Sequence, residues 1–587
     1  MKITAKLMLS VLCVVLVMGV VMQYNANNTV YAQSQLPDRV EAHVIWHRPN
    51  SSGKETTLDE ICQVLDTFQQ SGINMVFLET FYHGMTFFKN NLVPYYTGFE
   101  KYSYGQYPDY LTAFATEAEM RGIEVHAWVQ DFYIGINEDA TLVKYFPDWL
   151  LVNQEGGIRH MLEGQDFGGY IFWDPANSEV QDYLLKFYDL LLTSVPAVKG
   201  LNLDYIRYPV SDIANGNDAG YTQVCMTQFA TQYDLTLDQS DMRSDLVNKL
   251  KSDSKLYADW TAFRAGFVTA FVEKVYNMVN TKHQGKLIST AVFPELDQAY
   301  KSKKQDIRTW LNEGYIDIVT PMVYFYDAAQ IKSAVEKMME FCGDAYCYTG
   351  LYTTYHNQDT NQLREHINAS NSAGADGFVL FDTAKTFFNT QYDYQSYLVS
   401  QYGGNENRHV LPHSDAETLT TSVSDSLIAY LQSQADEGVE DAGKIEQFGE
   451  QLKLVSETGE KDIATLKILL GRLNTLSGSV DSYVSTANAS EVAQILQSLH
   501  RNLTVRLSRM EVKGIENPDG QTPPDDGNDD DKDDGNTDPL PTPDGDETEQ
   551  PTSSDNVKKL LSYGGVLVVG FVLGLITAFA IKSNKRG

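Results

Sequence analysis

The chain has 587 residues, 43% of them hydrophobic, with 35 Tyr, 26 Phe, 6 Trp and a formal net charge of −33. That length and apolar content exclude a wholly disordered chain and allow several domains at the usual ~100–200 residues each. The acid excess argues against a nucleic-acid partner, because binding phosphates requires clustered Lys and Arg, and five cysteines with no CxxC or zinc spacing exclude a disulfide scaffold and give no reason to expect a metal.

Lys2 and Lys6, an apolar run over 7–21 and the small-residue site Val30-Tyr31-Ala32 predict a signal peptide over 1–32. From 37 to 401, short β-rich runs alternate with segments of helical period. Runs at 40–46, 73–79, 123–129, 200–206, 287–293, 316–324, 345–352 and 377–382 predict eight strands, and 58–70, 109–120, 178–192 and 257–281 predict helices between them. Such alternation implies right-handed crossovers onto a parallel sheet. Eight units over this length predict an α/β fold, the (β/α)8 TIM barrel. A doubly wound sheet is the alternative, but no Gly-rich phosphate loop follows the first run. The connections at 130–177 and 207–256 are enlarged, and both leave the carboxyl ends of strands, where barrel enzymes build their sites.

Beyond 413 aromatics thin out, and apolar spacings such as Leu427, Ile428 and Leu431 predict a helical bundle or stalk over 415–512. Residues 516–557, rich in Asp, Pro, Thr and Gly, predict a solvated, disordered linker. No charge interrupts 560–581, and about 20 apolar residues span a bilayer. Lys582, Lys585 and Arg586 then predict a cytoplasmic tail over 582–587. The expectation is a single-pass protein of the cell membrane with its N-terminal ectodomain outside the cell. Gly570 and Gly574 form a GxxxG that permits a weak dimer through the span. Cys342 and Cys347 lie near each other in sequence, and only geometry decides whether they pair.

The chemistry concentrates in Gly200-Leu201-Asn202-Leu203-Asp204-Tyr205-Ile206-Arg207-Tyr208-Pro209. Alternation puts Asn202 and Asp204 on one face and Leu201, Leu203 and Tyr205 on the other. A carboxylate ending an apolar parallel strand is costly unless solvated or paired, and Arg207 offers a structural partner. The other strand ends favour a site instead. Glu79 ends the second strand, Glu295 follows the fifth, Asp382 ends the eighth, and the third sets His126, Trp128 and Gln130 on one face. Carboxylates and amides suit sugar hydroxyls, and aromatic rings suit the CH faces. Glycoside cleavage uses two carboxyl groups, one protonated for the leaving oxygen and one ionised opposite it. Asp204 and Glu295 are the expected catalytic pair, with either as the acid. Glu79, His126, Trp128, Gln130, Asn202, Tyr205, Arg207, Tyr208, Tyr324 and Asp382 are the expected sugar-binding set, and the chemistry needs no cofactor. A plainer reading makes His126 and Trp128 barrel-lining residues and lets Glu79 and Asp382 only orient others.

The chain resembles the glycosyl hydrolase-like 10 family of bacterial envelope proteins. The resemblance spans 39–401 and is carried by Gly72-Ile73-Asn74-Met75-Val76-Phe77, Arg121-Gly122-Ile123-Glu124-Val125-His126-Ala127-Trp128 and Phe146-Pro147-Asp148-Trp149. It continues through Trp173-Asp174-Pro175-Ala176-Asn177, Gly200 to Pro209, Asp317 to Tyr324 and Gly374-Ala375-Asp376-Gly377-Phe378. It implies a TIM-barrel glycosidase acting on an envelope polysaccharide, peptidoglycan strands stripped of their stem peptides among them. Asn202 stands where the family often has His, Glu79 to Phe81 where it often has an amide or Arg, and Met322 where it often has Gln. These departures support a second expectation, a carbohydrate-binding surface protein whose barrel has lost catalysis. A third expectation makes the helical segment the contact for a protein partner.

Overall fold

A computed structural model describes residues 39–49, 55–161, 169–353, 359–388, 393–404, 410–456 and 462–513. The expected leader (1–32), acidic linker (516–557), span (560–581) and tail (582–587) lie outside the described residues. Among the described residues, no helix is long and apolar enough to cross a membrane.

Eight strands form the centre: β1 Ala42–His47, β2 Met75–Tyr82, β3 Glu124–Gln130, β4 Val198–Asp204, β5 Leu287–Val292, β6 Ile318–Pro321, β7 Tyr346–Tyr352 and β8 Gly377–Phe381. Each pairs in parallel with the next, and β8 pairs with β1, so the sheet closes on itself. This is the TIM barrel read from the strand–helix alternation. Helices α1 Leu58–Gln70, α2 Tyr110–Glu119, α3 Ser178–Ser194 and α4 Ser254–Lys282 fall where the helical periods predict them.

Part of the acid excess has a local use. Asp109, Asp241, Asp306 and Asp359 each accept the N–H three residues on and so open a helix, a bond worth about 1 kcal/mol per helix. Helix α1 begins with a reciprocal box instead, Thr57 accepting from Glu60 N and Glu60 accepting from Thr57 N.

Side-chain alternation divides each strand between two cores. Val76, Leu78, Val125, Val129, Leu201 and Leu203 face the helices, while Val44, Trp46, Phe77, Trp128, Ala291, Tyr348 and Val379 fill the barrel. Gly200 is required inside it, because a Cβ there would stand 2.7 Å from Cε1 of the His126 ring. The lower end of the barrel is stoppered from far downstream: Leu411 and Val505 join the interior core, and Arg509 Nη1 lies 2.9 Å from Asp317 Oδ1. Cys342 and Cys347 are both buried and are not joined in a disulfide.

The enlarged connections are folded. That after β3 contains the paired strands Tyr133–Gly135 and Ile171–Phe172, and that after β4 the helices Gln223–Gln232 and Met242–Ser252. A fully buried Asp218–Arg264 pair at 2.9 Å, with Tyr221 and Trp260 also donating to Asp218, ties the second connection down. Ser414–Leu503 form a second compact unit. Its helices Ala416–Asp436, Ala442–Ser456, Ile463–Ser477 and the first part of Ala489–Lys513 bury Leu419, Leu427, Phe448, Leu452, Leu466 and Leu473.

Candidate active site

At the carboxyl ends of the strands, four barrel segments deliver charge to one mouth. The chain leaving β1 carries Arg48, β2 carries Glu79, β4 ends in Asp204, and Asp382 follows β8. Glu79 is 2% exposed and Asp204 8%. Strand register sets Glu79 level with Trp128, and Gln130 level with Asp204.

The two carboxyl groups are held differently. Glu79 Oε1 accepts from Gln130 Nε2 at 3.3 Å and lies 3.4 Å from Arg48 Nε. Burial pushes its carboxyl up to about 7. The Arg48 guanidinium opposes that rise, and the charges of Asp204 and Asp382 add to it. Asp204 accepts two N–H bonds, Trp128 Nε1 to Oδ2 at 3.0 Å and Tyr205 N to Oδ1 at 2.7 Å. Burial raises it too, against the pull of Arg207, these two donors and Arg48. Donors to the ionised form favour it, whereas desolvation favours the neutral acid. The arrangement therefore can hold one carboxyl protonated beside one ionised.

Arg48 also packs over aromatic rings, its Cζ 5.3 Å from the Trp128 centroid and 5.6 Å from that of Phe381. Tyr324, Tyr352 and Phe381 meet at centroid distances of 5.8–6.1 Å on one side. On the other, β2 turns through a two-residue hairpin at His83 and Gly84, both at positive φ as this turn demands. The turn stacks His83 on Tyr82 at 3.8 Å, and Tyr133 Oη lies 3.0 Å from His83 Nε2. Burial and the nearby Arg48 charge hold the His83 imidazole down at about 3, so it stays neutral in use. Tyr205 takes a left-handed φ of +52°, which ends the strand alternation and lets its half-buried ring stack on Tyr133 at 4.7 Å. Arg207 is buried over the rings of Tyr205 and Phe293, at 4.7 and 5.0 Å. Asp382 caps the helix Thr383–Thr386 by accepting Lys385 N at 3.1 Å. The peptide between Phe381 and Asp382 is cis.

The structure thus brings Asp204, Glu79, Trp128, Gln130, Tyr205, Arg207, Tyr324 and Asp382 together. Four expected residues lie elsewhere. Glu295 is exposed at the start of the short helix Leu296–Gln298, and its carboxylate makes no hydrogen bond among the described residues. The loop bearing it folds back on the β4 loop, Tyr208 N donating to Lys303 O and Ser211 N to Ser302 O, with Phe293 buried and Glu295 exposed. His126 and Asn202 face the barrel axis but sit one layer below the mouth, fully buried. There Asn202 accepts from Trp46 Nε1 at 3.0 Å and donates to Ser289 Oγ at 3.0 Å. His126 lies 3.2 Å from the same oxygen and 2.9 Å from Glu124. Tyr208 is fully buried beneath the loops, the Arg264 guanidinium 5.8 Å from its ring. Arg48, Tyr82, His83, Tyr133, Tyr352 and Phe381 are additions. Arg48 was signalled by parity, since it continues the Val44 and Trp46 series one residue past the end of β1. Among the described residues, no group of three or more His, Cys, Asp or Glu is placed to hold a metal.

The family model for glycosyl hydrolase-like 10 proteins matches residues 38–367. The chain belongs to that family. Among its relatives, this glycosyl hydrolase-like 10 protein is 22% identical over 267 residues to glycosyl hydrolase DigH of Escherichia coli (strain K12), covering 44% of this chain and 56% of that protein. It is 21% identical over 298 residues to glycosyl hydrolase YngK of Bacillus subtilis (strain 168), covering 48% and 52%. The chain therefore spans about half the length of the curated relatives it matches. Among solved structures, a GH42 β-galactosidase from G. stearothermophilus superposes with a TM-score of 0.43 at 12% identity, over 70% of this chain and 64% of that one.

Proposed function

We propose that this glycosyl hydrolase-like 10 protein cleaves glycosidic bonds in a cell-envelope glycan such as peptidoglycan, with Glu79 as general acid and Asp204 as its ionised partner. The observation that carries the reading is the pair itself. Two buried carboxyls share one mouth; burial raises both, Glu79 to about 7, while the Arg207 charge and two N–H donors favour the ionised form at Asp204, a difference in surroundings that suits the acid and the ionised partner of acetal hydrolysis. Protonated Glu79 gives its proton to the departing sugar oxygen. Asp204, aimed by Trp128 and the Tyr205 N–H, attacks the anomeric carbon or takes the proton of an attacking water. Arg48 accepts the charge left on Glu79 once its proton is gone. Tyr82, Tyr205 and Tyr324 offer ring faces to the sugar. Glu295 is left out of this scheme, because it is exposed and lacks the burial that raises a general acid.

The leader over 1–32 and the span over 560–581 would hold the barrel outside the membrane, where wall glycan lies. Protease shaving of intact cells tests that placement: loss of the barrel from sealed cells is expected, and full protection would refute it. The activity is tested by incubating the ectodomain with peptide-free peptidoglycan and other wall polysaccharides and reading products by mass spectrometry. New reducing ends are expected with the native protein and not with Asp204→Asn. Saturable binding without cleavage would refute the hydrolase reading.

A further inference from the structure

We propose that His47, Glu55 and Thr383 are positioning residues, which with Tyr110 form a buried hydrogen-bonded strut that fixes Arg48 and Asp382 on either side of Glu79. The strut joins four separate segments behind the barrel wall. His47 ends β1, with its ring on the helix side, stacked on Phe114 at 5.0 Å and edge-on to Phe68 at 5.5 Å. Its Nε2 lies 2.8 Å from Glu55 Oε1, both side chains being 0% exposed, and Tyr110 donates to the same carboxylate oxygen at 2.6 Å. Its Nδ1 lies 3.0 Å from Thr383 Oγ1, whose own proton goes to the Trp46 carbonyl at 3.1 Å. The line of contacts therefore runs Tyr110, Glu55, His47, Thr383, Trp46, with Tyr110 and Thr383 donating at its two ends and the imidazole tautomer setting the direction of the His47 contacts.

Burying a carboxylate with an imidazole stabilises a fold no better than apolar packing of the same volume, so stability alone does not account for the strut. Its ends do. Arg48 is the residue after His47, and Asp382 is the residue before Thr383. The same two groups supply charge to Glu79. A bond that ties the β1 end to the residue after Asp382 holds both at set distances from that carboxyl. The groups facing Glu79 are Arg48 from β1, Tyr82 and Tyr96 from β2 and its loop, Gln130 from β3, Asp204 from β4 and Asp382 after β8. Of these, Arg48 and Asp382 are the two that adjoin strut residues in the chain. Of the two, Arg48 acts more strongly and holds the carboxyl down, so loosening both moves Glu79 upward.

The test uses the full chain with Thr383→Val, which keeps shape and removes the hydroxyl, and Thr383→Ser, which restores it. The first readout is the pH midpoint of the Glu79 side-chain carboxyl carbon by 13C NMR, its signal identified by its loss in Glu79→Gln. Thr383→Val is expected to raise that midpoint above its native value near 7. In kinetics on glycan it is expected to lower kcat about tenfold, some 1.4 kcal/mol of barrel-mouth alignment, with KM changed less than about twofold. Thr383→Ser is expected to restore both. A Thr383→Val protein that melts earlier but keeps the native midpoint and kcat would make the strut purely structural and overturn the proposal. If that variant does not fold, Glu55→Gln, which retains an acceptor for His47, is read the same way. The kinetic arm rests on the hydrolase reading. Should the native protein turn over no glycan, that reading fails while the carboxyl titration still decides the strut.

Discussion

Glu79→Gln separates activity from stability in a way that few substitutions would. The glutamine is isosteric with the neutral acid and keeps an oxygen for Gln130. Glu79 is raised from 4.5 in the unfolded chain to about 7 in the fold, so below pH 4.5 it is protonated in both states and contributes nothing to the pH dependence. As pH rises from 4.5 to 7 the unfolded chain ionises first, and stability falls until the folded carboxyl ionises too. At about 1.4 kcal/mol per pH unit, the full loss above pH 7 is about 3 kcal/mol. The glutamine variant escapes that loss. It is expected to melt with the native protein at pH 4.5 and to be the more stable by about 3 kcal/mol at pH 8.5, read from denaturant midpoints. On wall glycan its kcat is expected to fall about 10²–10⁴-fold, the usual worth of a general acid. Most of the loss should vanish on a substrate with a nitrophenyl leaving group, which needs little protonation. Lower stability at both pH values together with near-native turnover of glycan would refute the assignment and the burial argument behind it.

Asp204→Asn is expected to lose about 10²–10⁴-fold in turnover on both kinds of leaving group, because its role does not depend on leaving-group protonation; recovery on the nitrophenyl substrate would exchange the two assignments. Glu295→Gln, at an exposed position, should change kcat/KM by no more than about twofold, and a larger loss would return it to the mechanism. Leu411→Ala should destabilise the barrel by about 2–5 kcal/mol through the cavity left at its lower end, with KM on any bound glycan unaltered. A melting curve coincident with the native one would show that the stopper is not packed as described.

The fold was legible because two periodicities run uninterrupted through the barrel. β-rich runs mark strands, amphipathic segments mark helices, and parallel closure follows from their alternation. The site was legible only in part, for reasons each residue makes clear. Parity reports the face of a strand and not the depth along it. His126 and Asn202 do share a face with Trp128 and Asp204, yet lie a layer below them. Parity also stops where the extended chain stops. The fifth strand ends at Val292 and the backbone turns helical at Leu296, so strand alternation does not fix the side-chain direction of Glu295. At Tyr205 the left-handed backbone returns an outward residue to the cleft. Glu79 was visible as a strand end, but its elevation depends on burial and on three charges from other strands, none of them near it in sequence. Arg48 had the right parity one residue past β1 and lacked any neighbour in the sequence to mark it.

Chain closure also bears on where this molecule can be cut. The homologous region, 38–367, stops short of β8 at Gly377–Phe381, the strand that bonds to β1 on one side and β7 on the other. A recombinant piece trimmed to those limits would be a seven-stranded open sheet with two raw edges, the geometry that invites intermolecular pairing and precipitation. It would also lack Asp382 and Thr383, and its lower opening would be unplugged. A soluble fragment needs the chain through His413 at the least, and the turns from Thr504 to Met510 to seal the base.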